Sequence, residues 1–166
     1  MAAPITVRPA REPDLATVLA ILSGASEWER SRGIEDPWPY PFPAEQVRPA
    51  LARGEVYLAH LAPLEAVATL SLTWEDPRFW RERPPDAGYV HRLAVLPAWA
   101  GRSIGGALLD WAAAEVRSRG RRFLRLDCLS TNLRLVRYYL DQGFEPRGTV
   151  EVDGFVCARF ERPVAP

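Results

Sequence analysis

Four small residues stand close together near the middle of the chain, within the stretch Gly101-Arg102-Ser103-Ile104-Gly105-Gly106. An apolar stretch ends at Pro97 before them, and apolar residues with helical spacing follow. Amides in the first turn of a helix lack partners inside the helix and lie at the positive end of its dipole. Small side chains let an anion reach those amides, and Arg102 adds a charge suited to phosphate. The stretch predicts an anion site, although a tight turn before a closely packed helix also explains the glycines.

The spacing excludes two well-known nucleotide loops. A P-loop requires a lysine after its second glycine, and the chain contains no lysine. A dinucleotide-binding fold requires GxGxxG in its first βαβ unit and an acidic residue ~20 positions later. Asp127 stands near that distance, but no GxGxxG precedes it. The predicted anion is therefore another kind of phosphate ligand.

A second pair of candidate residues lies downstream, in STNLRLVRYYLDQGF. Asn132 and Tyr139 are seven residues apart, which is about two helical turns, so both side chains share one helix face. Tyr138 is rotated by ~100° from them. Asn132 is the only asparagine of the chain. It can cap the helix, contact a ligand, or do both, and Tyr139 can be a core residue or a ligand contact.

The elements that would position these residues follow from hydrophobic spacing and turn signals. The pattern predicts a strand at Ile5–Arg8, a helix opening near Asp14, a short helix at Ala44–Ala52, strands at Glu55–Leu61, Ala66–Trp74 and Tyr89–Leu96, a helix at Ser103–Arg119, a strand at Phe123–Leu129, a helix at Asn132–Gln142 and strands around Gly148–Val152 and Phe155–Phe160. Two proline-rich stretches, Glu27–Pro43 and Asp76–Gly88, are predicted to be irregular. The strand, helix, strand step from Tyr89 to Leu129 predicts a parallel crossover in an otherwise mostly antiparallel sheet. The fold class is therefore a mixed α/β sheet of about seven strands with helices on both faces.

Composition places the chain in a broad class. With 166 residues and 48% hydrophobic content, residues 1–166 are expected to form a single globular domain. The 21 basic residues, all arginine, balance 21 acidic ones, which argues against nucleic acid as a partner. No apolar run is long enough for a membrane span, and Pro, Arg and Asp come too early for a secretion signal. Two cysteines make no disulfide framework, so we expect a reducing cytoplasm.

The two motifs together resemble those of the GCN5-related N-acetyltransferase (GNAT) superfamily. The acyl-CoA motif of that family, R/Q-x-x-G-x-G/A, aligns with Ala100 to Gly105 here, and its N-x6-Y-x3-G-F segment is matched by Asn132, Tyr139, Gly143 and Phe144. The predicted element order is also that of the family, so the resemblance covers essentially the whole chain. Ala100 replaces the usual Arg or Gln, and Ser103 replaces the first motif glycine. Backbone binding should tolerate Ser103 if its backbone is helical.

The resemblance implies acetyl-CoA, or another acyl-CoA, as co-substrate, and it implies no metal. Backbone groups of one strand would pair with the pantetheine arm, and backbone amides of the following turn would bind the pyrophosphate. Asn132 would touch the arm, and Tyr139 would lie near the sulfur. The implied cofactor-binding residues are Leu93, Ala94, Val95, Gly101, Arg102, Ser103, Ile104, Gly105, Gly106, Asn132 and Tyr139.

The implied reaction needs an acid and a base, because an amine attacks a thioester only as the free base. Tyr139 is assigned as the general acid that protonates the leaving thiolate. His91, on the strand that would line the cleft, is the candidate base, although a histidine with a structural hydrogen bond is the alternative. Loop carboxylates are further candidates for the base, namely Glu75, Asp76 and Glu82.

The acceptor is expected to bind at the two irregular stretches, and it is predicted to be a small amine or an amino-acid-like molecule. Aromatic residues there suggest a lined mouth, and acidic residues suggest attraction of a cationic amine; both sets can instead be structural or solvated. The aromatic set is Trp28, Trp38, Tyr40, Phe42, Trp74, Phe79 and Trp80, and the acidic set is Glu27, Glu29, Glu35 and Asp36. A non-catalytic acyl-CoA sensor and a peptide N-acetyltransferase remain alternatives, and a homodimer is a further expectation.

Overall fold

The structure is a computed structural model that describes residues 4–35 and 38–164. Its strands are β1 Thr6–Pro9, β2 Val56–Ala62, β3 Glu65–Thr73, β4 Ala87–Val95, β5 Phe123–Leu129, β6 Glu145–Val152 and β7 Phe155–Pro163. Its α-helices are α1 Leu15–Ser31, α2 Arg48–Ala52, α3 Pro77–Trp80, α4 Ile104–Ser118 and α5 Leu133–Asp141. The predicted order of elements is confirmed except for α3, which was not predicted, and β5 has the predicted bounds.

Within the described ranges the strands form one seven-stranded sheet in the order β1-β2-β3-β4-β5-β7-β6. The pairs β1–β2, β2–β3, β5–β7 and β6–β7 are antiparallel, and β4–β5 is parallel. A parallel pair requires a crossover connection, which α4 supplies between β4 and β5. The predicted fold class, a mixed α/β fold with a mostly antiparallel seven-stranded sheet, is confirmed.

The chain divides into two compact units, which are called the first and the second unit below. The first comprises Met1–Leu72 and Arg92–Trp111, and the second comprises Thr73–His91 and Ala112–Pro166. In the first unit, α1 packs its apolar stripe into a core with residues of α2, β2 and the end of β4. This helix continues to Ser31, so the irregular stretch predicted from Glu27 is wrong over its first five residues. Within that stretch the first proline, which cannot continue a helix, is Pro37, after the end of α1.

The second unit contains the antiparallel strand pairs β5–β7 and β6–β7. The β6–β7 hairpin turns at Asp153 and Gly154, whose φ angles of 52° and 81° are those a two-residue hairpin turn requires, as predicted. β6 begins at Glu145, earlier than predicted, because Pro146 is tolerated on an edge strand. The predicted irregular stretch after β3 contains the short helix α3.

Cys128 and Cys157 are both buried, and neither forms a disulfide among the described residues. Among the described residues, no helix combines the length and apolar character that a membrane crossing requires.

Candidate functional site

The stretch of small residues forms a turn between β4 and α4, in the first unit. The strand ends where the Leu96 amide donates to the carbonyl of Val67 at 2.9 Å, and a short 3-10 turn at Pro97–Trp99 follows. Gly101 and Ser103 then adopt left-handed φ angles of 76° and 60°. The expectation that Ser103 has a helical backbone is therefore wrong. A left-handed conformation costs a residue with a side chain roughly 1–2 kcal/mol, so this turn holds local strain.

The first turn of α4 presents free backbone donors. The first hydrogen bond into the helix runs from the Ala107 amide to the Ser103 carbonyl at 3.0 Å, so the amides of residues 104–106 precede the helical ladder. Residues 101–103 are exposed, and Gly105 is half-buried. The Arg102 guanidinium lies 4.6 Å from the centroid of the Trp99 ring. This contact keeps the positive charge of Arg102 on the same turn as the amides. The arrangement can bind an anion, as the small-residue pattern predicts.

The strand that precedes the turn is interrupted at one residue. Arg92 has a φ of 51°, although it lies inside β4. A left-handed residue breaks the regular alternation of a strand, as a bulge does, and changes the direction of the backbone groups that follow. Ala94 is buried in the core of the first unit, whereas Leu93 and Val95 are half-buried. The sequence contains no signal for this irregularity, because arginine carries no left-handed preference.

Asn132 both caps a helix and keeps a free donor. It precedes α5, and its side-chain oxygen accepts a hydrogen bond from the Leu135 amide at 3.2 Å. The residue is 5% exposed, and its amide nitrogen Nδ2 is buried with no hydrogen-bond partner among the described residues. A buried donor without a partner costs about 1–3 kcal/mol, so this nitrogen is available for a ligand acceptor. The expectation that Asn132 caps the helix is confirmed, and a ligand contact stays a prediction.

Tyr139 lies on α5, seven residues beyond Asn132, and is 6% exposed. Its ring packs against Phe144 and Phe160, with centroids 5.9 and 5.8 Å away. The helix ends at Gly143, whose φ is 81°, and the Phe144 amide then donates to the Tyr139 carbonyl at 3.1 Å. Packing on two sides therefore fixes the orientation of the tyrosine ring.

His91 belongs to a cluster of titratable side chains in the second unit, here called the carboxylate cluster: Asp76, His91 and Asp127. One nitrogen or oxygen from each lies within 4.8 Å of the others. His91 Nε2 is 3.7 Å from Asp76 Oδ2, and the histidine side chain is 25% exposed. These donor types also suit a divalent cation such as zinc, so the expectation of no metal can be tested at this cluster of described residues.

Asp76 supplies the buried carboxylate of the carboxylate cluster. It caps α3 by accepting a hydrogen bond from the Phe79 amide at 3.1 Å on Oδ1, while Oδ2 is buried and accepts none from the described residues. Of the three loop carboxylates considered as bases, Glu75 and Glu82 are exposed, so Asp76 alone is in a buried setting.

Sequence reasoning missed Asp127 as a functional candidate. Burial and, to a smaller extent, the neighbouring Asp76 carboxylate raise the pKa of its carboxyl to about 7, against the opposing effect of Arg78. The only available signal was the alternation of β5, which puts Asp127 on the same strand face as Arg125 and Phe123.

Replacing Asp127 with asparagine is expected to stabilise the fold at alkaline pH. The folded pKa lies above the value of 3.8 for an ordinary aspartate, so the folded state binds more protons than the unfolded state between about pH 4 and 7. Ionisation of Asp127, which faces Asp76, Arg78 and His91, therefore lowers the free energy of unfolding as pH rises through that window. The variant should melt at a higher temperature than wild type at pH 8, and the gain should shrink towards pH 4. Thermal unfolding across pH measures this, with the exposed Asp141→Asn as control. A variant less stable than wild type at pH 8 would contradict the assignment.

The two stretches expected to bind the acceptor divide into core and surface residues. Phe42 and Trp80 are buried core residues, and Tyr40 is 45% exposed. The Trp74 ring lies beneath the guanidinium groups of Arg119 and Arg121. Trp28, Trp38 and Phe79 are half-buried. An aromatic mouth formed by the whole set is therefore wrong for the two core members.

The acidic set is also divided. Glu27 and Glu29 lie on α1, not in a loop; Glu27 and Glu35 are exposed, and Glu29 is 8% exposed. Asp36 lies outside the described residues.

Comparison with known proteins points to one family. The sequence profile described as "Acetyltransferase (GNAT) family" matches residues 25–144. The chain is 24% identical over 147 residues to the "Uncharacterized N-acetyltransferase YesJ" of Bacillus subtilis (strain 168), covering 84% of this chain and 81% of that protein.

Solved structures show the same fold. A GNAT-family acetyltransferase from Listeria monocytogenes 4b F2365 superposes with a TM-score of 0.78 at 22% identity, covering 96% of this chain and 94% of that one. The PaiA N-acetyltransferase of Thermoplasma acidophilum, in complex with coenzyme A, gives a TM-score of 0.74 at 18% identity, with 96% and 99% covered. At these identities the likeness establishes the fold alone.

Proposed function

Because the chain belongs to the acetyltransferase (GNAT) family and is an N-acetyltransferase, we propose that it moves the acetyl group of acetyl-CoA to the amine of a small or amino-acid-like acceptor. The observation that carries this proposal is the row of free amides in residues 101–106, which follow β4 and open α4. A coenzyme diphosphate is an anion of the kind that such a helix start binds. The coenzyme A bound to the Thermoplasma protein of the same fold supports the choice.

The residues that would hold the coenzyme are those that the resemblance implies. Amides of Gly101–Gly106 would accept the diphosphate, and main-chain groups of Leu93–Val95 would pair with the pantetheine arm. The unpartnered Nδ2 of Asn132 would donate to a carbonyl of that arm. When bound, acetyl-CoA supplies an activated thioester carbonyl.

Tyr139 would act as the general acid. Its phenol O–H can donate a proton to a departing thiolate. Its rigid packing against Phe144 and Phe160 supports this role, because a proton donor is effective only when it is held in place. A backbone N–H of β4 would stabilise the oxyanion that forms on the thioester carbonyl.

His91 would accept the proton of the acceptor amine. The amine lone pair attacks the carbonyl carbon, the C–S bond breaks, and the thiolate takes the proton of Tyr139. The Asp76 carboxylate, 3.7 Å from His91 Nε2, would stabilise the positive charge on the imidazole. In the overall reaction, one ammonium and one thioester give one amide and one thiol, and one proton is released to solvent.

The proposal also treats residues 1–166 as one acetyltransferase domain located in the cytoplasm. A homodimer, and the absence of metal, nucleic acid and membrane as partners, stay predictions.

Free thiol release from acetyl-CoA across a panel of amines and peptides tests the function. We expect turnover with small amines, and we expect His91→Ala to slow it and to remove the lower limb of the pH–rate profile. Coenzyme binding without turnover by any acceptor would favour an acyl-CoA sensor, and turnover with peptides alone would favour a peptide N-acetyltransferase. An unchanged pH–rate profile in His91→Ala would exclude His91 as the base.

A further inference from the structure

A second cluster in the second unit contains arginines that form no ion pair with any carboxylate of the described residues. This cluster, here called the Arg159 cluster, consists of Trp80, Arg81, Arg83 and Arg159. The guanidinium carbon of Arg159 lies 5.4 Å from the centroid of the Trp80 ring, and that of Arg83 lies 5.6 Å from it. Burial lowers the pKa of Arg159, and repulsion from Arg83 and Arg81 lowers it further. These cations therefore lie close enough to disfavour each other.

Two buried donors of the Arg159 cluster have no acceptor. Trp80 is 1% exposed, and its Nε1 has no hydrogen-bond partner among the described residues. Arg159 Nε is also buried without such a partner. Each buried donor left without a partner destabilises the fold, and an oxyanion would satisfy both while neutralising the guanidinium groups.

Arg125, a neighbouring arginine, has carboxylate partners of the kind that the Arg159 cluster lacks among the described residues. Arg125 also lies against the Trp80 ring, at 5.2 Å from its centroid. Its guanidinium is paired with Glu161 at 2.7 Å and with Asp86 at 3.1 Å. The chain therefore supplies carboxylates to the buried Arg125, whereas Arg159 is half-buried, with a buried Nε. Within the described ranges, the chain supplies none to this Nε.

The two clusters meet on adjacent strands. Asp127 of β5 and Arg159 of β7 are directly opposite partners in the antiparallel pair. Opposite residues lie on the same sheet face with Cα atoms about 4.5–5.5 Å apart. The two side chains therefore lie on one sheet face, and no ion pair joins them among the described residues.

We propose that the acceptor is a small amino acid, whose ammonium end binds in the carboxylate cluster and whose oxyanion end binds in the Arg159 cluster. This inference rests on the proposed N-acetyltransferase function and specifies its acceptor. It explains both sets of unpartnered buried atoms with one molecule: the ammonium donates to Asp76 Oδ2, and the oxyanion accepts from Trp80 Nε1 and Arg159 Nε. A short molecule fits because the two clusters are one strand apart.

The separations in the carboxylate cluster fall between those that an ammonium and a zinc ion require, so the zinc-binding measurement below distinguishes the two ligands. An ammonium donates at about 2.8–3.0 Å in tetrahedral directions, which places its acceptors roughly 4.6 Å from one another. The three cluster atoms lie within 4.8 Å, and the Asp76–His91 separation is 3.7 Å. A tetrahedral zinc ion with ligands at ~2.0–2.2 Å would require separations of roughly 3.4 Å.

The test compares α-amino acids with their primary amides and their decarboxylated amines in the thiol-release assay, with aminomethylphosphonate as a second oxyanion. We expect kcat/KM for the best amino acid to exceed that for its amide by at least ~100-fold, because the uncharged analogue leaves the buried donors unpaired. Arg159→Gln should lower kcat/KM for the amino acid far more than for the amide, and so remove most of that preference. The exposed Arg137→Gln on α5 should preserve it. If only aminomethylphosphonate is acetylated, the Arg159 cluster binds a phosphonate group. A phosphonate is also an oxyanion, so the proposal is supported.

Equal use of amino acid and amide by wild type would overturn the inference, whether or not Arg159→Gln folds. Tight zinc binding by the wild-type protein, lost in Asp127→Asn, would overturn the ammonium assignment. Thiol release with simple amines alone would contradict this inference but would agree with the proposed function. No thiol release with any acceptor would contradict the proposed function itself.

Discussion

Replacing Tyr139 with phenylalanine is expected to slow thiol release by at least ~100-fold at pH 7, because the leaving thiolate loses its proton donor. The change removes one oxygen and keeps the ring, so the packing against Phe144 and Phe160 is retained. Stability and coenzyme affinity should therefore stay close to those of wild type. The loss should appear in kcat and kcat/KM together, as for an interaction made only in the transition state.

The neighbouring tyrosine provides the control for this experiment. Tyr138→Phe makes the same chemical change one residue earlier on α5, about 100° around the helix, and is expected to keep wild-type turnover. Steady-state thiol release with saturating acetyl-CoA measures both variants. Wild-type turnover by Tyr139→Phe would remove Tyr139 from the mechanism.

Replacing Gly105 with aspartate is expected to weaken coenzyme A binding by roughly 10- to 1,000-fold. Two like charges ~4 Å apart repel by about 1 kcal/mol in water and about 4 kcal/mol near a protein surface. The same carboxylate at the start of α4 interacts favourably with the helix dipole, so the melting temperature should not fall. The affinity for coenzyme A should therefore fall while the melting temperature of the variant does not.

Asparagine at the same position separates charge from size. Gly105→Asn adds nearly the same volume without the charge and should weaken binding much less than the aspartate does. Pantetheine, which lacks the phosphates, should bind wild type and Gly105→Asp equally well. Calorimetric titration with both ligands measures these affinities. Equal losses for coenzyme A in the two variants would mean that size, and not phosphate binding, matters at this position.

Much of the fold could be predicted from local patterns. The alternation of β5, the Asp153-Gly154 turn and the glycine that ends α5 each act within a few residues, and all three stand as predicted. The cap formed by Asn132 could be predicted for the same reason. Local signals also predicted the turn that precedes α4, because small residues and a helix start are adjacent in the chain.

Features that depend on contacts distant in sequence were missed. Nothing near Asp127 in the chain indicates that Asp76 lies beside it, 51 positions earlier. The register that sets Asp127 opposite Arg159 is fixed by β5–β7 pairing, and strand register cannot be derived from one strand. The left-handed backbone of Ser103 and Arg92 contradicts the preferences of both residues and is imposed by the surrounding structure.

The most direct test of the central claim is a set of amide chemical shifts recorded during titration with coenzyme A. Glycine amides give well-separated 15N–1H signals, and the chain carries glycines both inside and outside the proposed diphosphate site. The signals of Gly101, Gly105 and Gly106 are expected to move with coenzyme A and to stay in place with pantetheine, while those of Gly120 and Gly154 respond to neither. If the three site signals stay in place at saturating coenzyme A, the main chain at the start of α4 does not bind the diphosphate.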